Sequence, residues 1–334
     1  MSNYTVSPVA TVSVNEIIVF ETLISQKLRS AKGTLSERQA AAYRAAVPPE
    51  YTLPQVAYAL PPGFWSSPIS ADVYSMIAAE FKIVAAQAVT DAKVSEARLY
   101  TSNLMGVDLN SVHVEVVPSG EWDRGDGAEG FQIRVGLTDH LVFVPDEFCS
   151  PVELLCHEFG HAAHTTAQRK NGEVPFFFVM PTSAEFVAHF CQYNYLLDHG
   201  SRAQFISALG QLTTATFALS IMASQVCDDF ESFLKSENSE AIVKAMPMEI
   251  LERTYWEFSG NRSHLLQESM RGMAIILALW LVDDHEGMKR FISSDRIDRA
   301  FDEKLAAAFT DVDFRAVFEG VNDQIYMLLK RFNR

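Results

Sequence analysis

Five consecutive residues, His157-Glu158-Phe159-Gly160-His161, constrain this 334-residue chain more than any other stretch. On an α-helix, positions i and i+4 share a face, so both imidazoles leave the same side and can hold one cation. Two neutral imidazoles suit Zn²⁺, which takes four ligands and, in catalytic sites, keeps one position for water. Glu158 projects about 100° around the helix from His157. From there its carboxylate could accept a proton from that water rather than bind the ion. Pro151 and Glu153 put a proline and an acid where helix N-termini prefer them, which predicts a helix over about 151–168. Gly160 costs this helix about 1 kcal/mol relative to alanine, a sign that a substrate or second helix comes close. HExxH alone fixes only three positions and occurs in ordinary amphipathic helices. Here Leu154, Leu155 and Cys156 make the surroundings apolar, and a structural histidine pair would leave the charge of Glu158 unexplained.

A third ligand is offered by Glu185, in Pro181-Thr182-Ser183-Ala184-Glu185-Phe186-Val187. Pro181 and Thr182 can start a helix over about 182–198, with Phe186, Val187, Phe190 and Leu197 as its apolar face. A lone acid among apolar neighbours is costly to bury without a partner. Two histidines and one glutamate form a recurrent set for hydrolytic zinc. The other reading of Glu185 is a capping or solvent-facing acid in a first helical turn.

The run HEFGHAAH, followed by Glu185 within Ala184-Glu185-Phe186-Val187-Ala188, resembles the M3 family of zinc metallopeptidases, the thimet oligopeptidase and oligoendopeptidase F group. Gly127-Ala128-Glu129-Gly130-Phe131-Gln132-Ile133 and His140-Leu141-Val142-Phe143-Val144 are similar to the glycine-rich strand pair ahead of the zinc helix there. The resemblance covers about residues 110–200. It implies a mainly α, zincin-like metallopeptidase core of reduced length. In that core His157, His161 and Glu185 hold zinc and Glu158 is the general base. The family also carries a late-helix histidine followed by tyrosines that contact substrate. His264 matches the histidine and is the expected second catalytic residue, but Leu265 to Met273 contains no tyrosine. Stabilisation of the oxyanion is therefore open among His264, Arg262, Arg271 and Tyr255.

A net charge of −15 argues against nucleic acid, whose binding relies on basic patches. Met1-Ser2-Asn3-Tyr4-Thr5 lacks the basic-then-apolar pattern of a secretory signal, and Met273–Val282 is far shorter than the ~20 residues of a membrane span. The expectation is a cytoplasmic protein with no membrane partner. Cys149, Cys156, Cys191 and Cys227 lack close spacing, so reduced thiols are expected.

Residues 1–110 read as a helical region with helices over Glu16–Leu28 and Leu35–Ala46. Within it, prolines rule out a regular helix over 47–70, and an alanine-rich helix is expected over 71–104. Residues 111–334 read as the catalytic region, forming one compact domain with the rest or a domain of their own. Alternating segments at 112–116, 131–135 and 140–144 predict a small antiparallel β-sheet ahead of the zinc helix. Gly120–Gly130 is either a loop that closes on substrate or a solvated hairpin. Phe176-Phe177-Phe178 either pack in the core or line a specificity pocket. Asp146, Glu147 and Glu153 are candidates to orient the imidazoles. His164 and His189 are either such partners, substrate contacts or structural histidines.

The function this predicts is zinc-dependent hydrolysis of peptides. Its alternatives are a weak or inactive zinc protein that recognises a peptide or partner, and a hydrolase of non-peptide amides.

Overall fold

The computed structural model describes residues 14–46, 67–123, 130–173, 181–296, 299–309 and 312–333. Among them the chain is mainly helical with a small sheet, the expected class. It opens with α1 (Val14–Ser30), α2 (Leu35–Ala45), α3 (Ala71–Glu80), β1 (Gln87–Ala88) and α4 (Asp91–Met105). Strands β2 (His113–Val117), β3 (Phe131–Ile133), β4 (Leu141–Pro145) and β5 (Glu147–Phe148) follow. Next come α5 (Pro151–Lys170), α6 (Pro181–His199), α7 (Arg202–Ser224), α8 (Phe230–Leu234) and α9 (Glu240–Ala245). The chain ends with α10 (Met248–Gly260), α11 (Arg262–Trp280), α12 (His285–Ser294), α13 (Phe301–Ala308) and α14 (Phe314–Lys330). The helices form two compact units. One gathers α1, α2, α4, the strands, α5, α12 and α13; the other gathers α3, α6 to α11 and α14.

The expected single helix over 71–104 is two helices. Phe81 leaves α3 with ψ 128°, and Thr90 restarts the helix by accepting a hydrogen bond from the Lys93 N–H at 3.4 Å. A threonine followed by aspartate is a strong N-cap signal that the alanine pattern masks. The break also lies where the chain passes from one unit to the other. The helix expected over Leu35–Ala46 spans Leu35–Ala45. Thr34 and Glu37 cap it reciprocally, Glu37 Oε2 accepting from the Thr34 N–H at 3.0 Å. Most of the proline-rich 47–70 stretch lies outside the described residues.

In the first unit, Phe20, Ile24 and Leu28 recur one turn apart along α1 and pack with Leu35, Val117, Leu141 and Phe143. The sheet runs β2-β4-β3, with β4 central and fully buried. It is mixed rather than antiparallel: β3 pairs antiparallel with β4, but β2 pairs parallel, His113 opposite Leu141 and Val117 opposite Pro145. The stretch between β2 and β4 is long enough for the crossover that a parallel pair requires. Alternating apolar residues report a strand and not its direction. Phe131 stacks on Phe143 with ring centroids 4.8 Å apart.

In the second unit, α7 and α11 cross closely at Gly272. A Cβ there would lie 2.8 Å from the Ala215 carbonyl oxygen. Backbone cannot rotate away, so Gly272→Ala should cost about 1–3 kcal/mol of overpacking against about 1 kcal/mol gained in helix propensity. A net loss of up to roughly 2 kcal/mol in urea unfolding is expected; a more stable variant would contradict the close crossing. Among the described residues α7, rather than Met273–Val282, is the helix long and apolar enough to cross a membrane. Its apolar window is 67% buried inside the protein. No disulfide joins the four cysteines.

Candidate metal centre

The centre is built on α5, which begins at Pro151 with Glu153 in its first turn and runs to Lys170, two residues past the expected end. Every residue from Pro151 to Arg169 is buried except two, His157 and His161, which are partly exposed. The helix is thus wrapped nearly all round, and the wrapping opens only over the two imidazoles. Their rings stand edge to face at 85° with centroids 4.9 Å apart, as one turn of helix dictates. Gly160 is buried between them.

Glu158 is 3% exposed. Gly130, at the entry to β3, passes directly over it: a Cβ there would sit 2.8 Å from Glu158 Oε1 and 3.0 Å from its Cγ. A bare backbone at this point leaves room for the carboxylate, and any larger residue would displace it. That packing gives Gly130 a defined purpose within the expected Gly120–Gly130 loop. Residues 124–129 of that loop lie outside the described residues, as does Phe176-Phe177-Phe178.

Glu185 lies in the first turns of α6, its side chain 26% exposed. One turn on, His189 is fully buried, with Nε2 3.5 Å from Glu185 Oε2. Burial pushes the pKa of His189 below the ordinary imidazole value; Glu185 and Gln192 oppose the shift and the charge of Arg271 adds to it. The ring is accordingly neutral near pH 7. Gln192 Oε1 lies 2.7 Å from Nδ1 and accepts its N–H, leaving Nε2 to accept from the Arg271 Nε–H at 3.4 Å. This tautomer is assigned from the network.

The nitrogen and oxygen ligand atoms offered by His157, His161 and Glu185 all lie within 4.8 Å of one another, a group that could hold a metal ion. Donors around a tetrahedral ion with bonds of about 2.0–2.2 Å sit roughly 3.3–3.6 Å apart. Two imidazoles and a carboxylate fit zinc in type and number, with a fourth position left for water.

The other expected residues differ in their surroundings. His264 sits in the first turn of α11, partly exposed and packed on Phe258 with ring centroids 5.3 Å apart. Arg262 is 75% exposed and pairs with Asp228 at 3.4 Å. Tyr255 is fully buried, its hydroxyl donating to the Val226 carbonyl at 3.0 Å and accepting from the Asp229 N–H at 3.1 Å. Arg271 lies two turns along α11 from His264, with Nε 3.9 Å from Glu185 Oε2 and Nη1 3.5 Å from Glu268 Oε1. Of the candidate orienting acids, Asp146 accepts from the Ser119 hydroxyl and Glu147 is exposed. Glu153 is 6% exposed and lies one turn before His157 on the same face of α5.

His164 proves to be a structural histidine. Its Nε2 lies 2.6 Å from Oδ2 of buried Asp295, which also accepts from Gln168 Nε2 at 2.8 Å, while Lys304 Nζ lies 2.5 Å from Oδ1. Sequence reasoning missed Asp295 and Lys304. They are more than 125 residues from His164, and no local spacing marks them. No protein-family model, no curated protein and no solved structure matches the chain.

Proposed function

We propose that the protein is a zinc-dependent metallopeptidase. The observation that carries this reading is the group His157, His161 and Glu185, its two histidines beside the carboxylate of Glu158 on a helix buried at all other residues from Pro151 to Arg169. Zinc held by these three side chains would supply Lewis acidity and would lower the pKa of a bound water towards ~7. His157 and His161, both carried by one rigid buried helix, fix two of the donors. Glu185 brings a negative charge that offsets part of the cation's. Glu158 is adjacent in sequence and turned to a different side of α5, so it stays out of the ligand set. Its carboxylate takes a proton from the water as the oxygen adds to the peptide carbonyl carbon. It returns that proton to the amide nitrogen as the C–N bond breaks, releasing an acid and an amine. Burial under Gly130 limits bulk water around this carboxylate and holds it in one orientation.

The test is metal content and turnover on the same preparation. Purified protein should carry a single zinc per chain, and a peptide library read by mass spectrometry should be cut. Stripping with a chelator should abolish cleavage, and restoring zinc should recover it. Cleavage that survives complete removal of metal would refute the reading. Zinc retained without cleavage of any peptide would leave a binding protein instead.

A further inference from the structure

We infer that Arg271 is the side chain that receives the negative charge developing on the substrate carbonyl oxygen during hydrolysis. The inference rests on the peptidase reading above and assigns a role that reading leaves empty. Four polar residues are candidates from the sequence, and their surroundings separate them. The Tyr255 hydroxyl is fully buried, with both its donor and an acceptor position taken by backbone. Arg262 is a surface residue whose partner is Asp228. His264 is held against Phe258 at the start of α11, about 10 Å along the helix axis from residue 271. Arg271 lies beside a member of the donor group, with Nε 3.9 Å from Glu185 Oε2.

That distance decides between two roles. At 3.9 Å the guanidinium neighbours the Glu185 carboxylate without being hydrogen-bonded to it. A residue whose task was to orient Glu185 would donate to it directly. Instead the Nε–H is engaged by His189, and Glu268 lies 3.5 Å from a terminal nitrogen. These contacts hold a planar cation in place while its side chain stays 27% exposed. A fixed, always-charged donor fork at the rim of the donor group suits an oxygen that becomes anionic only as the reaction proceeds. Such a group stabilises the transition state more than the bound substrate, so it acts on kcat more than on KM.

The experiment compares wild type with Arg271→Ala and Arg271→Gln, the second keeping most of the packing if the first folds poorly. Zinc affinity is measured by chelator competition. Calorimetry compares a phosphinic peptide, whose tetrahedral anion mimics the reacting centre, with the matching uncharged peptide. We expect zinc affinity within a few-fold of wild type and kcat lower by about 10²–10³ with KM little changed. The phosphinic peptide should lose most of its advantage over the uncharged one, and added guanidinium should partly restore kcat in Arg271→Ala only. Weakened zinc binding with kcat fully recovered at saturating zinc would overturn the assignment and leave Arg271 a positioning residue for Glu185. Variants that match wild type throughout would overturn it as well. A wild type that holds no zinc or cuts no peptide would instead mark failure of the peptidase reading itself.

Discussion

Glu158→Gln is expected to keep its zinc and to lose about two to four orders of magnitude in kcat, the usual contribution of a positioned proton-transfer group. The amide has almost the shape of the acid, so the space left by Gly130, 2.8 Å from Oε1, still accommodates it. What the amide lacks is basicity: it cannot take the proton of the attacking water. His157→Ala should behave differently. It removes a donor from the group His157, His161 and Glu185, so zinc and turnover should disappear together. The pair of variants separates the two tasks proposed for these five adjacent residues. The measurement is kcat at saturating zinc, with metal content determined on the same samples. A glutamine variant that turned over at the parental rate would remove Glu158 from the mechanism; one that lost zinc would make it a ligand.

Much of this centre was legible because its parts are local. The i, i+4 spacing of His157 and His161 dictates a shared helix face, and Pro151 with Glu153 sets the helix start. Glu185 stood out as a lone acid in an apolar stretch, and its donor atom falls within 4.8 Å of those of the two histidines. Features that depend on distant residues were not legible. The parallel pairing of β2 with β4 follows from where the chain returns after a long excursion. The interruption after Glu80 hides within an alanine-rich pattern, because Thr90 acts only once the chain has turned. Among four candidates His264 was the one favoured from sequence, and no local spacing marks the Glu185 carboxylate beside Arg271. Nothing near His164 announces Asp295 or Lys304, since a buried acid and base look in sequence like any surface pair.

That buried cluster carries the largest expected effect on stability. Asp295 is 0% exposed and Lys304 1%, so replacing Asp295 by asparagine takes a counter-charge away from a buried cation. Breaking such a pair from one side costs about 3–5 kcal/mol. Asp295→Asn should lower unfolding stability by that order in urea at neutral pH. Adding Lys304→Met removes the stranded charge, and the double variant should recover most of the loss. Single and double variants adding independently would show that the two side chains do not interact. The pH dependence has a definite sign. Burial pushes the Asp295 pKa up, but the hydrogen bond from His164 and the charges of His164 and Lys304 outweigh it and hold it below 3.8. A depressed folded pKa contributes stability that is complete above the unfolded value and is lost as pH falls through the folded one. Wild type should therefore lose stability on acidification below about pH 4, with a component missing from the double variant. Because Asp295 grips His164 and Gln168, both on α5 beyond His161, this cluster fixes the C-terminal half of the helix that presents the imidazoles. Equal acid sensitivity in wild type and double variant would show that the cluster does not hold it.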